Sequence, residues 1–380
     1  MRILVVPAVD WFTALENRVH HLVRFWLNDN EVHVVHIPLG GKPLRSAGGE
    51  RIHRLSTART TSLLLYYVMN FFPQLVQITR IIRREKIDIV VTTNLSAGTA
   101  AIISAKLLGV KSIFDYCDYL PAFSRYAGVW SFLQRLLRAT GELLTVFNLR
   151  ASQGVVVIGK RLLYHASRFN PIVLEVPNGV DPSRFEKAGR WRPSPNPVLG
   201  YVGILEFFVD LESAMRALRL LEGCRLVIVG DGRERPRLES VTRLVGVEQR
   251  VEMAGRVPYD QVQRWISSMD ICLLPFERSE LTESALPLKI HEYAASCRPI
   301  ISSSLFEVRR MYGDLLLYAE GADQIVAAVN HIVENPKETL KRIRRSFIRS
   351  TRTYSWSALA PMYQRAFQRV LSQGREEAQQ

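Results

Sequence analysis

Glu277–Ser302 reads ERSELTESALPLKIHEYAASCRPIIS and lies between two short apolar runs. Asp270–Pro275 (DICLLP) precedes it, and Pro299–Ser303 (PIISS) closes it. Unbroken apolar runs of this kind suit strands buried on both faces of a parallel sheet. Between them, the periodicity predicts a helix from Pro287 to about Ser296. Pro287 stands at its start, where a missing N–H costs nothing. Lys289 and Glu292 are three apart and share a face. The first turn offers unpaired N–H groups and the positive end of the helix dipole to an anion. Glu292, about one and a half turns in, is placed to accept the hydroxyls of a ribose. The competing reading is an ordinary surface helix with Lys289 and Glu292 as a solvated pair.

Three further segments precede it in order: Val176–Asp181 (VPNGVD), Gly200–Gly203 (GYVG) and Leu226–Gly232 (LVIVGDG). With Pro287–Ile301 (PLKIHEYAASCRPII), they resemble the retaining glycosyltransferases of the GT-B fold, family 4 type. The resemblance implies an α/β protein of two Rossmann-like doubly wound domains facing across a cleft. Residues 1–185 would form the acceptor-binding domain, 186–197 a linker and 198–353 the donor-binding domain. Residues 354–380 would hold a last helix crossing back to the first domain, and a tail. The implied reaction moves a sugar from a nucleotide-sugar to a hydroxyl acceptor, with retention, without a metal and with no cofactor beyond the donor.

The resemblance also assigns residues. Donor binding falls to Gly203, Ile204, Gly230, Asp231, Gly232, Arg256, Val257, Pro287, Leu288, Lys289 and Glu292, with Glu292 on the ribose. Asp118, Lys289 and Glu283 are the catalytic candidates. Two departures stand out. Position 284 is a serine where the pattern has a glutamate, with Glu280 and Glu283 nearby. Ile204–Ser213 (ILEFFVDLES) lacks the arginine and lysine that hold the diphosphate. One charge-assisted phosphate contact is worth about 1.5–3 kcal/mol, so either Lys289, backbone N–H groups and a helix start near Asp210 offset the lost pair or the donor binds weakly. Thr282–Tyr293 is similar to a branch of the family in which that cationic pair is often missing.

The formal charge of +14 points to an anionic partner: nucleic acid, anionic lipid or a phosphorylated substrate. No nucleic-acid motif accompanies it, so nucleic acid is not expected. Lys341–Arg352 (KRIRRSFIRSTR) reads as a solvated helix face. The length suggests about two domains. Cys117, Cys224, Cys272 and Cys297 form no Cys-x-x-Cys pair and read as buried thiols in a reducing compartment. His33 and His36, three apart in a strand, point to opposite faces. No Asp-x-Asp triplet occurs, which argues against the metal-dependent single-domain class of glycosyltransferase.

In the first half, Ile3–Pro7, Glu31–Ile37 and Arg51–Leu55 read as strands and Glu16–Leu27 as a helix, the rhythm of a doubly wound sheet. The chain begins directly in a strand, so no signal peptide is expected and the location would be cytoplasmic. Ligands of such sheets bind beyond the carboxyl ends of the strands, which brings in the loop Ala8–Thr13 (AVDWFT). Asp10 and Trp11 are acceptor-side candidates, and so are Arg18 and His20 or His21, for any one of which a surface or packing role is the alternative. Lys111–Leu120 is a strand ending in Asp115 and Asp118. The resemblance places a polar residue there near the transferred sugar, Asp118 first and Asp115 second.

Thr60–Thr79 carries no charge and runs into Arg80–Lys86 (RIIRREK). A membrane span, a helix lying on an anionic membrane and a helix packed on the sheet are all open. Trp130–Arg150 is again aromatic, apolar and basic, and the same membrane face and core packing are both open for it. These stretches suggest a peripheral protein on the inner face of the cell membrane with a lipid-linked acceptor. The rival readings are a sugar-nucleotide epimerase of the same architecture and a membrane-surface scaffold without turnover.

Overall fold

The computed structural model describes residues 1–12, 16–38, 48–58, 63–126, 130–185 and 191–376, the side chains of 63–68, 125–126 and 373–376 excepted. The chain divides into two compact units, Met1–Pro177 with Leu359–Gln380, and Asn178–Ala358.

The first unit holds seven strands: β1 Arg2–Val6, β2 Glu31–His36, β3 Arg51–Arg54, β4 Ile89–Thr92, β5 Lys111–Tyr116, β6 Gly154–Val157 and β7 Val173–Glu175. They pair in the order β3-β2-β1-β4-β5-β6-β7, all parallel. The second unit holds β8 Val198–Val202, β9 Arg225–Val229, β10 Val251–Gly255, β11 Ile271–Leu274, β12 Ile300–Ser302 and β13 Leu317–Tyr318. Their order, β10-β9-β8-β11-β12-β13, repeats the first six positions of the other sheet and is again parallel. Strand order reverses beside β1 in one unit and beside β8 in the other, and a crevice opens at each such reversal.

Central strands are buried on both faces, as their apolar runs require: Ile3, Leu4, Val5 and Val6 are fully enclosed. The helix Leu63–Arg84 is longer than its uncharged stretch and takes in Arg80, Arg83 and Arg84. One face, Phe71, Leu75, Ile78, Ile81 and Ile82, packs into the core with Leu4 and Val6 of the sheet. The other leaves Met69, Phe72 and Val76 exposed. Sheet packing therefore accounts for half of this helix. Thr60 and its neighbours through 62 lie outside the described residues. No helix among the described residues is long and apolar enough to cross a membrane. Ser96–Leu107 lies close on β4, because a Cβ on Gly98 would stand 2.5 Å from Thr92 Oγ1.

The helix Trp356–Glu376 returns to the first unit from Leu359 onward. Tyr363 and Phe367 enclose Trp26 with ring centroids 5.0 and 5.4 Å away. The change of unit falls at Asn178, earlier than the boundary at 185 suggested by the sequence. The reason is backbone pairing: Val180 N–H donates to Tyr354 O and Trp356 N–H to Val180 O, each 2.9 Å, within the second unit. Of the expected linker, 186–190 lies outside the described residues. Trp191 is packed, its Nε1 donating to Asp270 O at 2.9 Å, so the stretch from there belongs to the second unit's wall. All four cysteines are free thiols, Cys224 and Cys272 buried and Cys117 and Cys297 half-buried.

Candidate functional site

In the second unit, the loops after β8 and β9 approach each other so closely that only glycine fits. A Cβ on Gly230 would stand 1.8 Å from Gly203 O, and one on Gly232 would stand 2.1 Å from Leu205 O. Gly203 and Gly230 have φ of 157° and 139°, values that disfavour side chains. Backbone bonds lace the loops: Gly203 N–H to Val229 O, 2.8 Å; Leu205 N–H to Asp231 O, 3.1 Å; Gly230 N–H to Gly255 O, 2.8 Å. The sequence marks these glycines, and the structure supplies the contact that demands them.

The helix Leu288–Ala295 begins beside this mesh. Pro287 is its N-cap and no side chain caps it, so its first N–H groups are left for another acceptor. Its orientation is fixed from behind. Tyr293 Oη accepts Val202 N–H at 2.8 Å, and Ser350 Oγ donates to His291 O at 2.8 Å. His291 is fully enclosed against Tyr312 (Nδ1 to Oη, 2.8 Å), and burial pushes its imidazole down to about 3, so it stays neutral. The VPNGVD segment contributes Asn178, whose Nδ2 donates to Leu286 O at 2.6 Å and holds the approach to the helix.

With that face fixed, Lys289 points over the glycine loop. A Cβ on Gly203 would meet its Nζ at 2.3 Å. The ammonium lies 5.0 Å from the Tyr201 ring and 5.2 Å from the Phe276 ring, and it donates to Tyr201 Oη at 3.3 Å. Tyr201 Oη in turn donates to Ile204 O at 2.9 Å, tying the lysine to the loop. Burial pushes the ammonium down to about 8, opposed by the charge of Glu292. Glu292 is buried and accepts from Tyr259 Oη at 2.6 Å. Tyr201, Phe276 and Tyr259 were not legible as site residues, because each meets its partner through the fold and not through local spacing.

The other donor-side candidates divide. Ile204, Asp231 and Arg256 are exposed on the loop tips, while Val257 and Leu288 are half-buried. Asp210 caps its own helix, its Oδ1 accepting Ser213 N–H at 3.0 Å, so that helix start already has its anion. Ser284 is buried and its hydroxyl donates to Glu280 O at 2.8 Å and Leu281 O at 2.9 Å. Glu283 is engaged at both oxygens, by Arg278 Nε at 2.7 Å and by Phe306 N–H at 2.8 Å. Glu283 thus ties the segment Arg278–Glu283 to the start of the helix Phe306–Tyr312.

In the first unit, Asp115 and Arg18 form a buried ion pair, Nε to Oδ2 3.0 Å, and Arg18 Nη1 donates to Pro177 O at 2.8 Å. The charge of Asp115 holds the guanidinium protonated against its burial. Asp118, beyond the end of β5, is exposed. Surrounding protein pushes its carboxyl up to about 6, with Asp115 adding to the shift. Trp11 is packed instead of lining a surface: its Nε1 donates to Glu50 Oε1 at 2.8 Å and its ring lies 4.2 Å from that of His20. Asp10 is buried beside His36, Oδ1 to Nδ1 3.6 Å, and accepts Phe12 N–H at 3.0 Å. His21 is buried with Glu16 3.9 Å away. Asp10, Trp11, His20 and His21 brace the loop after β1 and the helix Arg18–Trp26. Thr13, at the end of the predicted loop, lies outside the described residues. Among the described residues, no group of three His, Cys, Asp or Glu side chains is placed to hold a metal.

Comparison with known proteins agrees with this layout. Residues 15–184 match the model of the family described as Glycosyltransferase Family 4. Residues 196–335 match that described as Glycosyl transferases group 1. One component of the phosphatidylinositol N-acetylglucosaminyltransferase of Arabidopsis thaliana is 30% identical over 213 residues, which are 52% of this chain and 44% of that one. Sucrose-phosphate synthase from Thermosynechococcus elongatus superposes with a TM-score of 0.81 at 14% identity, over 98% of this chain and 100% of the other. The Anabaena protein HepE in complex with UDP-glucose gives 0.73 at 11% identity, over 99% and 100%.

Proposed function

The chain belongs to the family 4 type of GT-B glycosyltransferases, and from that premise we propose that it transfers a sugar from a nucleoside-diphosphate donor bound by the second unit to a hydroxyl acceptor bound by the first. The observation that carries this reading is the Lys289 ammonium held over Gly203 at an uncapped helix start, with Glu292 one turn on. In the reaction, the bond between the anomeric carbon and the β-phosphate oxygen breaks, and its electron pair stays on the phosphate. The acceptor oxygen forms the new bond, and its proton leaves with the diphosphate. Charge developing on that leaving group is met by the Leu288 and Lys289 N–H groups and the ammonium, donors aimed before the reaction begins. Glu292 takes the ribose hydroxyls. Gly230, Gly232, Arg256 and Val257 border the nucleoside, as the family pattern implies. Asp118 is the first unit's candidate for the transferred sugar, as the family pattern implies, and the anomeric configuration is retained. HepE, which shares the fold, is in complex with UDP-glucose.

A second observation bears on the acceptor. Phe72 is 70% exposed, with Met69 and Val76 exposed on the same helix Leu63–Arg84; Trp130, at the start of the helix Ser131–Ala151, is 89% exposed and Phe132 74%, with Leu136 and Leu143 exposed further along. Arg80, Arg83, Arg84 and Arg135 are interspersed. Exposed aromatics flanked by arginine fit the interface of an anionic bilayer, so we place the acceptor on a lipid there. The test is a screen of nucleotide-sugars by thermal shift, since a ligand bound only by the folded state raises its apparent stability, followed by assay for transfer onto lipid extracts. Stabilisation by nucleoside diphosphates and a donor-dependent glycolipid support the reading. Nucleotide-sugar turnover to a free epimer, or no nucleotide effect at all, would count against it.

A further inference from the structure

We propose that Tyr259 is a positioning residue for the ribose contact, its phenol holding Glu292 turned away from Lys289 and toward the nucleoside. This rests on Glu292 being the ribose acceptor, as proposed above. Glutamate has three side-chain torsions, and a lysine three residues earlier on the same helix face is its natural ion-pair partner. Such a pair would neutralise the cation needed for phosphate and occupy the carboxylate needed for the sugar. The two side chains instead take different partners. The lysine lies against Tyr201 and Phe276, and the carboxylate accepts a charge-assisted bond of 2.6 Å from Tyr259 Oη.

The phenol is itself held. Tyr259 is the first residue of the helix Tyr259–Ser268, whose N-cap is Pro258. The Arg184 guanidinium lies 5.2 Å from the ring centroid, and Arg184 Nε is 3.5 Å from Asp181 Oδ2. Three segments distant in sequence, Asp181–Arg184, Tyr259 and Glu292, therefore meet at one hydrogen bond. Tyr259 also follows directly on Arg256–Val257–Pro258, the turn assigned to the base. A nucleoside seated on that turn meets Glu292 through the residue that directly follows it.

The test titrates UDP, GDP, ADP and CDP, and their 2′-deoxy counterparts, into wild type, Tyr259→Phe and Glu292→Ala. Wild type should bind its preferred ribonucleotide about tenfold more tightly than the deoxy form, the worth of about one hydrogen bond to a charged group. In Tyr259→Phe that ratio should fall toward the value in Glu292→Ala, with the deoxy affinity unchanged. Because the ratio is internal to each variant, partial loss of folded protein does not mimic it. In turnover, KM for the donor should rise while kcat holds. If Tyr259→Phe keeps the full ratio while Glu292→Ala loses it, the positioning role is overturned and the ribose role stands. If wild type does not discriminate the deoxy form, both fall together.

Discussion

The Lys289 ammonium occupies the space into which a side chain on residue 203 would project: a Cβ on Gly203 would stand 2.3 Å from Lys289 Nζ. The neighbouring glycine is constrained differently, since a Cβ on Gly230 would meet the backbone oxygen of Gly203 at 1.8 Å. The two contacts predict opposite phenotypes. Gly203→Ala meets side-chain ends, Lys289 Nζ at 2.3 Å and Tyr201 Oη at 2.8 Å, at a φ of 157°, so nucleoside-diphosphate affinity should fall about tenfold or more, with a loss of stability above about 1 kcal/mol. Gly230→Ala presses on backbone that cannot yield and should cost about 3 kcal/mol. Thermal melts and calorimetric titrations of both variants separate the effects.

Lys289 gives donor binding a pH limit. Its ammonium loses its proton near pH 8 in the folded protein, against 10.5 for an unburied lysine. Affinity for a nucleoside diphosphate should therefore decline as pH rises through about 8. Stability should move the other way. Between pH 8 and 10.5 the unfolded chain holds a proton that the folded one has released, so this group makes folding more favourable as pH rises. Lys289→Arg should flatten the binding profile, because a guanidinium stays charged throughout. A profile for wild type that is level from pH 7 to 10 contradicts the assignment.

Asp118 gives the opposite limb. Its carboxyl is pushed up to about 6 from 3.8, so the carboxylate forms only as pH rises through that value. If the carboxylate contacts the transferred sugar, kcat/KM should climb across about pH 6 and level off. Asp118→Asn should lower the plateau and remove the limb. The folded state holds this proton over the window from 3.8 to 6, so stability contributed by the group is lost as pH rises through it. Initial rates across pH 5 to 8 for both proteins decide this.

Arg18 and Asp115 should behave as structure. Arg18→Ala leaves a buried carboxylate uncompensated, which typically costs about 3–5 kcal/mol. The expected result is a lower melting temperature with little change in nucleotide affinity of the folded fraction. A stable Arg18→Ala protein that has lost only acceptor use would return Arg18 to the acceptor side.

The exposed aromatics of the helices Leu63–Arg84 and Ser131–Ala151, with Trp130 at the start of the second, should bind lipid. Phe72→Ser with Trp130→Ser should abolish flotation with vesicles of phosphatidylglycerol and phosphatidylcholine. The melting temperature should hold, because both side chains are exposed and surface changes are usually within about 0.5 kcal/mol. Binding to the wild-type protein should weaken with salt. Flotation of the double variant equal to wild type would remove the membrane reading.

Much of this architecture is local and therefore legible in the sequence. The apolar runs of β1, β8 and β11, the turn glycines 230 and 232, and the proline at the start of Leu288–Ala295 each carry their meaning within a few residues. Side-chain partnerships are another matter. Glu283 reads as a free acid beside Ser284, yet it is spent on Phe306 N–H, 23 residues on. Trp11 reads as an exposed loop aromatic until Glu50 closes over its indole, 39 residues away. Arg18 finds Asp115 across 97 residues. Sequence spacing reports the face of an element; it does not report what the fold lays against that face.

In the proposed reaction a diphosphate is held at the start of the helix Leu288–Ala295. Backbone amide NMR of the 15N-labelled protein tests it directly, using the nucleoside diphosphate that stabilises best and the matching nucleoside without phosphate. The diphosphate should shift the Leu288 and Lys289 amides strongly and in a saturable way, and the nucleoside should leave them nearly still. Saturable binding of the diphosphate with both amides unmoved would contradict the account.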